Sequence, residues 1–247
     1  LLAQYLDLEQ FADYMILNQY GGNFDWDHHN WHAFRNRNGG KWYFSAWDTE
    51  VIFIRLADNR IDPDLFGQFE PSSDYNPNEN VLTRLWLKLM GNEEFQVLFA
   101  DRIHKHLFND GLLTPDSVID RWTGLSDQIY TAILGESARW GDYRRDVYYA
   151  GLARFDDRRV YDRDEEWINE QNRLLTTYFP YRTDVVIQQY KAFGAYGDMD
   201  GPLLHVNGVH RHGGVIAPGD TLTMTAPVGV VLYTTDGSDP RLSGGDV

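Results

Sequence analysis

Apolar residues recur every three to four positions near the start of the chain, which predicts an amphipathic helix over LEQFADYMILNQY. The residues that share its apolar face are Leu8, Phe11, Ala12, Met15 and Ile16. Asp7 is a candidate N-cap, with Gln10 three residues on as its capping-box partner. The glycines Gly21 and Gly22 predict the end of the helix.

Two aromatic-rich runs, WHAFRN and KWYFSAW, flank the turn sequence RNGG. This arrangement predicts a β-hairpin. The segment between the helix and the hairpin, NFDWDHHN, is polar and is expected to form a loop. An irregular segment rich in Asp, Pro, Asn and Ser is predicted over residues 58–80.

Helical periodicity returns in the middle of the chain. Helices are predicted over residues 81–90, residues 93–108, from Thr114-Pro115 towards Leu134, residues 163–178 and residues 183–193. The body of the protein is therefore expected to be mostly helical, with one hairpin near its start.

The pattern changes after Tyr196. GDMDGP has the composition of a linker, and the runs VIAPGDTLTMTAP and GVVLYTTDGSDP alternate like short strands. We expect a main domain over residues 1–196, a linker over 197–203 and part of a small all-β module over 204–247. The fold class is α+β.

Composition narrows the function classes. The 247-residue chain is 43% hydrophobic and carries a formal net charge of -15, which disfavours nucleic acid and anionic membrane surfaces as partners. It has no cysteine, which excludes disulfides and thiolate chemistry, and no apolar run of about 20 residues. Because it starts without Met inside an amphipathic segment, we expect it to be a fragment of a longer protein.

Three histidines, His28, His29 and His32, raise the question of zinc. His28 and His32 have the spacing of one helical face, but they lie in a predicted loop and lack an HExxH pattern. We therefore expect them to form hydrogen bonds in the loop and to bind no structural zinc.

The oxygen-bearing residues suggest a different chemistry. Asp25 and Asn30 are five residues apart in the loop, and Asp48 follows the second strand. In protein kinases this order supplies a carboxylate that receives the acceptor's proton, then a carboxamide and a carboxylate that hold magnesium. Turn-forming Asx residues give the same pattern, so the spacing alone leaves both interpretations open.

The run DYMILNQYGGNFDWDHHNWHAFRNRNGGKWYFSAWDTE resembles the CotH family, the spore coat protein H-like atypical protein kinases. RLWLKLMGNEEFQVLFADRIHKHLFNDGLLTP and ESARWGD are similar to the same family, and the resemblance covers roughly residues 5–196. The tail, HGGVIAPGDTLTMTAPVGVVLYTTDGSDPR, resembles the Ig-like β-sandwich at the C-terminus of chitobiase-like (hexosaminidase) enzymes.

The resemblance implies roles for individual residues. Asp25 matches the catalytic aspartate, Asn30 the asparagine of the catalytic loop and Asp48 the magnesium-binding aspartate. Here the glycine that typical kinases have two residues later is replaced by Glu50, which could add a second carboxylate to the metal site. Asn23 is a weaker candidate for shaping the loop.

The resemblance also implies a protein-kinase-like C-terminal lobe that uses ATP and Mg²⁺ to phosphorylate serine or threonine of a protein substrate. The phosphate-binding lysine would lie upstream, since none of the lysines here, Lys41, Lys88, Lys105 and Lys191, precedes the loop. An exported or cell-surface location in a bacterium is expected. The alternative is a non-catalytic exported scaffold or binding protein, associated with carbohydrate or the cell surface. The sequence leaves the oligomeric state open.

Overall fold

A computed structural model describes residues 2–68, 80–147 and 159–241. It divides into two compact units, one of Leu1–Thr114 with Asp184–Val247 and one of Pro115–Thr183. Helices outweigh strands, and the strands form two small antiparallel sheets. This agrees with the α+β class and the mostly helical body, whereas the kinase-like lobe and the Ig-like module stay predictions.

The elements of the first unit begin with a 3-10 turn, Leu2–Gln4. They continue with helix α1, Leu8–Gly21; strands β1, Trp31–Phe34, and β2, Tyr43–Ala46; a second 3-10 turn, Pro63–Gln68; and helices α2, Val81–Met90, and α3, Glu93–Leu107. The predicted irregular segment contains the second 3-10 turn, and its residues 69–79 lie outside the described residues.

The predicted first helix is confirmed, with one correction at its N-terminus. The Asp7 carboxylate accepts from the Gln10 backbone N–H at 3.1 Å, and Gly22 closes the helix in the left-handed region, at φ 62°. Gln10 does not complete a capping box with its side chain. Its amide instead pairs with the backbone of Phe44 on β2, donating at 2.6 Å and accepting at 2.8 Å.

The predicted hairpin is also confirmed. β1 and β2 pair antiparallel, with Trp31 opposite Ala46 and Phe34 opposite Tyr43. The hairpin is fixed to α1 by the Gln10 amide and by a ring contact between Phe11 and Phe44, whose centroids are 5.3 Å apart. Because α1 and the hairpin are joined by residues 22–30, this contact determines where that loop lies.

A buried aromatic cluster forms the core of the first unit. Trp86 of α2 is fully buried and lies 4.6 Å from the ring of Phe99 on α3. Phe99 in turn meets Tyr190, whose hydroxyl donates to Oε1 of Gln19 on α1 at 2.9 Å. This cluster supports α1, the helix that leads into the candidate loop.

A charged contact joins α1 to α3. Asp13 accepts from Nε of Arg102 at 2.7 Å and from Nε2 of His106 at 2.8 Å. Burial opposes ionisation of Asp13, but the hydrogen bonds and positive charges of His106 and Arg102 together outweigh it and lower its pKa to about 2. The contact therefore favours the charged form of the carboxylate.

The remaining helical elements follow from Pro115. They are α4, Pro115–Trp140; α5, Tyr143–Asp146; a π-helical turn, Arg163–Trp167; α6, Ile168–Arg173; a second π-helical turn, Leu174–Tyr178; and α7, Phe179–Phe193. In the second unit Trp122 of α4 donates from Nε1 to Oε1 of Gln171 on α6 at 2.6 Å.

Two boundaries in this region were predicted wrongly. α4 continues past Leu134 to Trp140, because Gly135 lies inside it without ending it. The predicted gap between residues 178 and 183 is also absent, since helical structure continues through Pro180. The second π-helical turn directly precedes Pro180, and a wider turn accommodates a residue that has no N–H to donate.

Three short strands follow the helices: β3, Leu203–Val206; β4, Val209–His210; and β5, Leu222–Thr225. β3 pairs with both of the others, and Asn207-Gly208 forms the turn between β3 and β4 with positive φ at both residues. The predicted strand around Thr223 is confirmed. The strand expected in GVVLYTTDGSDP is wrong, because residues 229–240, all of them described, form no strand and pair with no other described segment.

The predicted division into residues 1–196, 197–203 and 204–247 stays a prediction. Within the described parts of the chain, no helix combines the length and apolar character needed to cross a bilayer.

Candidate active site

The candidate loop, residues 23–30, leaves the end of α1 and leads into β1. Two backbone hydrogen bonds attach its start to the chain that follows the hairpin. Phe24 donates to the carbonyl of Val51 at 3.2 Å, and Phe53 donates to the carbonyl of Gly21 at 2.8 Å. These bonds hold the segment that follows the hairpin beside the start of the loop.

Asn23 is buried at the first position of the loop. Its Nδ2 donates to Oδ1 of Asn18 at 2.8 Å, while its Oδ1 accepts from the backbone N–H of Asp25 at 3.0 Å. The Asn23 side chain thus connects the last turn of α1 to the backbone that carries the Asp25 carboxylate.

Asn30 connects the other two predicted residues. Its Nδ2 lies 3.4 Å from Oδ2 of Asp25 and 3.0 Å from the backbone carbonyl oxygen of Asp48. The backbone carbonyl of Asn30 also accepts a hydrogen bond from the backbone N–H of Trp47 at 2.9 Å. The loop and the end of β2 therefore meet at a single carboxamide, whose Oδ1 is the atom left for a cation.

Both ends of the hairpin have unusual backbone conformations. Asn30 has φ 59° and Asp48 has φ 49°, in the left-handed region that Asn and Asp enter more readily than other non-glycine residues. Such conformations cost free energy and persist where surrounding contacts impose them. The chain therefore turns sharply at each of these two residues.

The carboxylates of Asp48 and Glu50 do not cluster with that of Asp25. Both residues are exposed, and the ligand atoms of Asp25, Asp48 and Glu50, all three described, do not form a group within 4.8 Å of one another. The structure brings the backbone of Asp48 to the loop. The metal-binding roles of Asn30, Asp48 and Glu50 and the catalytic role of Asp25 stay predictions.

The histidines of the loop separate into two places. Nε2 of His29 lies 3.5 Å from Oδ2 of Asp25, and Nε2 of His28 lies 4.0 Å from its Oδ1. His32 instead lies on β1, with its ring 5.4 Å from the ring of Trp47. The sequence spacing suggested His28 and His32 as a pair. The two histidines that approach the Asp25 carboxylate are instead His28 and His29.

Asp27, whose side chain is fully buried, was not predicted from the sequence. Its Oδ2 accepts from Oγ1 of Thr83 and Nδ2 of Asn80, each at 3.2 Å, and its Oδ1 lies 2.9 Å from Nδ1 of His28. Asp27 therefore joins the loop to the start of α2. The Asp-Trp-Asp pattern around the buried Trp26 carried a signal, since a carboxylate beside a core residue needs partners.

Arg60, which is buried behind the loop, was not predicted from the sequence either. Its Nε donates to the carbonyl of Asn23 at 3.0 Å and its Nη2 to the carbonyl of Phe24 at 2.8 Å. Its guanidinium carbon lies 4.1 Å from the ring centre of Phe66. Arg60 is 33 residues or more from its partners in the loop, so no local spacing could reveal it.

Tyr14 supports the loop from α1. Its hydroxyl donates to the backbone carbonyl of Trp26 at 3.4 Å. Burial, and then the negative charge of Asp27, raise the pKa of Tyr14 well above its ordinary value. The phenol therefore stays protonated and remains a donor to the loop.

The donor atoms of this site fit a hard cation. The Asp25 carboxylate, the Asn30 Oδ1 and the exposed carboxylates of Asp48 and Glu50 are all oxygen donors, which Mg²⁺ prefers. The site is also open to solvent at Asp48 and Glu50, so a nucleotide's phosphates could approach it. Donors of these types occur where a proton acceptor lies beside a metal-bound phosphate.

Comparison with known proteins gives one match. The model of the family described as CotH kinase protein matches residues 1–185, well over half of the chain. A search of the curated proteins finds no match, and a search of the solved structures finds none. The match covers α1, the loop, the hairpin and Asp48, and it does not extend to the tail, whose chitobiase-like character stays a prediction. The chain therefore belongs to the CotH kinase protein family.

Proposed function

We propose that this protein is a phosphotransferase, which moves the γ-phosphoryl group of ATP to a serine or threonine hydroxyl of a protein substrate with Mg²⁺. The observation that carries the proposal is the position of the Asn30 carboxamide, 3.4 Å from the Asp25 carboxylate and 3.0 Å from the Asp48 carbonyl. Membership of a kinase family supports a nucleotide and a protein substrate in general terms.

In this proposal Asp25 acts on the acceptor. One carboxylate oxygen of Asp25 accepts the proton of the acceptor hydroxyl as its oxygen attacks the γ-phosphorus, and the bond to the β-phosphate oxygen breaks. ADP leaves with that oxygen, so phosphoryl group, proton and electron pair are all accounted for. Asn23 and Asn30 orient the carboxylate, through the Asp25 backbone N–H and through Oδ2.

Asn30 and Asp48 hold the metal in this proposal, with Glu50 as an additional ligand. Mg²⁺ supplies charge neutralisation on the phosphates. The exposed, left-handed position of Asp48 leaves its carboxylate accessible at the end of β2, while its carbonyl is fixed by Asn30. Positioning and electrostatic stabilisation of this kind account for most of the rate enhancement in phosphoryl transfer.

The test is a phosphoryl-transfer assay on the whole protein with ATP, Mg²⁺ and protein acceptors. We expect transfer that requires Mg²⁺ and falls by about a hundredfold or more in Asp25→Asn and in Asp48→Asn. Asp64→Asn, at an exposed carboxylate in the 3-10 turn Pro63–Gln68, is the matched control and should leave the rate unchanged.

An equal background signal from wild type and both variants, with or without Mg²⁺, would overturn the proposal. The family fold would then serve a non-catalytic scaffold or binding protein, the alternative to which the replacement of glycine by Glu50 also points.

A further inference from the structure

A second set of metal-ligand atoms surrounds Asp25. A carboxylate oxygen of Asp25 and one ring nitrogen each from His28 and His29 all lie within 4.8 Å of one another. The side chain of His29 is 53% exposed, so solvent ions reach it, while that of Asp25 is 16% exposed. Two imidazoles and a carboxylate form a donor set that zinc and its neighbours in the first transition row bind well.

The orientation of His28 is an independent observation in favour of a ligand. Its Nδ1 lies 2.9 Å from Oδ1 of the buried Asp27. An ionised carboxylate only accepts hydrogen bonds, and Asp27 is already an acceptor for Thr83 and Asn80, so His28 Nδ1 carries the proton. The other ring nitrogen, Nε2, faces Asp25 and lies 4.0 Å from its Oδ1.

Nδ1 of His28 is thus paired with a buried carboxylate, while its Nε2 is turned towards Asp25. Metal-bound histidines show this arrangement, in which one ring nitrogen binds the metal and the other donates to a carboxylate that fixes the ring. Here Asp27 would be the fixing carboxylate and Nε2 of His28 the ligand atom.

The distances fit an ion better than direct hydrogen bonds. The separations of 3.5 Å and 4.0 Å between the Asp25 oxygens and the two Nε2 atoms exceed those of charge-assisted hydrogen bonds. Zinc bonds to nitrogen and oxygen are about 2.0–2.2 Å long, so two ligand atoms of one ion lie about 3.3–4 Å apart. All three ligand atoms lie within 4.8 Å of one another, so the group would have to contract around a bound ion.

Contrary to the expectation from sequence that His28 and His29 bind no structural zinc, we propose that Asp25, His28 and His29 bind a divalent transition-metal ion of the zinc class. This ion withholds the Asp25 carboxylate from phosphoryl transfer. The site differs from the oxygen site for Mg²⁺ at Asn30 and Asp48, and the two share only Asp25. Imidazole ligands favour zinc over magnesium, so the two ions are separated by chemistry as well as by position. The inhibitory part rests on the proposed function.

Binding is tested without any assay of activity. The whole protein, without a histidine tag, is titrated with Zn²⁺ by calorimetry and with Co²⁺ by visible absorption, which reports nitrogen ligation. We expect one ion per chain, and at least tenfold weaker binding in His29→Ala, whose exposed side chain has little part in folding. His32→Ala, a nearby histidine outside the group, should bind as wild type does.

No binding at micromolar metal, or an equal loss in His29→Ala and His32→Ala, would overturn the site. Inhibition is then measured as the phosphoryl-transfer rate at constant excess Mg²⁺ with increasing Zn²⁺, relative to each variant's own rate without Zn²⁺. We expect inhibition of wild type that a chelator reverses, and at least a tenfold higher inhibitory concentration in His29→Ala.

The two proposals fail in different ways. Metal binding that depends on His29, in a protein with no Mg²⁺-dependent transfer, would retain the site and overturn the proposed function. Transfer that zinc-saturated protein performs at its full rate would retain the function and overturn the inhibitory role of the ion.

Discussion

Nη2 of Arg60 lies 3.5 Å from Oδ1 of Asp27, and both side chains are almost completely withdrawn from solvent. The same guanidinium donates to the carbonyls of Asn23 and Phe24, so one buried cation serves three acceptors of the candidate loop. Asp25 is the proposed catalytic residue, and its position depends on the buried Arg60 guanidinium that holds the loop.

Replacing that cation should therefore be costly. We expect Arg60→Met to lower the free energy of unfolding by about 3 kcal/mol, because it removes the buried guanidinium that lies 3.5 Å from the Asp27 carboxylate. Urea unfolding followed by tryptophan fluorescence measures the change. The control is Arg84→Met, at an exposed position on α2, where a change within about 0.5 kcal/mol is expected. Equal losses in the two variants would contradict the role of Arg60.

The backbone at Asn30 gives a second prediction. Asn30→Ala and Asn30→Gly lose the same carboxamide, but only alanine carries a steric penalty at φ 59°. We expect the glycine variant to be the more stable by about 1 kcal/mol in urea unfolding. At Asn38, which is exposed in the hairpin turn and has no positive φ, glycine should bring no such advantage over alanine. The same order at both positions would refute the strain at Asn30.

The lowered pKa of Asp13 predicts how the stability of the fold depends on pH. This pKa falls from an ordinary 3.8 to about 2 in the folded protein, because the hydrogen bonds and positive charges of His106 and Arg102 together outweigh burial. A lowered folded-state pKa stabilises the fold above pH 3.8, and this contribution is lost as the pH falls from about 4 to about 2.

Asp13→Asn should consequently be less stable than wild type at pH 6, and the difference should shrink towards pH 2. Urea midpoints measured across this range test the prediction. Asp127→Asn, at an exposed position on α4, is the control and should follow the wild-type curve. A constant difference between Asp13→Asn and wild type from pH 6 to pH 2 would show that ionisation of Asp13 does not contribute.

Two glycines should respond oppositely to alanine. A Cβ at Gly111, just after α3, would lie 2.5 Å from the carbonyl oxygen of His106 and 2.6 Å from that of Lys105. Backbone atoms cannot move aside cheaply, so Gly111→Ala should cost about 1–3 kcal/mol. Gly135 lies inside α4, where an added methyl group would meet no atom within 4 Å beyond the neighbouring backbone of its own helix. Gly135→Ala should therefore gain about 0.5–1 kcal/mol. Melting temperatures that move in the same direction would contradict this pair of predictions.

Local patterns predicted most of the helices and the hairpin. The stripe from Leu8 to Ile16 and the caps at Asp7 and Gly22 need only neighbouring residues, and they were predicted from sequence. The Gln10 side chain was assigned to the helix cap because its partner, Phe44, lies 34 residues away. The strand expected after Gly229 failed for a related reason, since a strand forms only where another strand pairs with it.

Some residues of the candidate site could likewise be predicted from local sequence, and others could not. Asp25, Asn30 and Asp48 follow from spacing and family resemblance, and the structure joins the first two by their side chains. Asp27 and Arg60 were not predicted, because a buried polar residue is recognised by partners far along the chain, here at Thr83 and Phe24. The network behind the site is a property of the packed protein and leaves little trace in local sequence.

The Gln10 amide has a consequence for the behaviour of the chain in solution. Phe44 offers its backbone N–H and carbonyl on the edge of β2 that faces away from β1, and Gln10 occupies both. Asp7 and Tyr5 occupy the carbonyl and the N–H of Trp42 along the same edge. An open strand edge invites pairing with another molecule and is a common start of aggregation. α1 and the segment before it thus shield the outer edge of β2 from intermolecular strand addition.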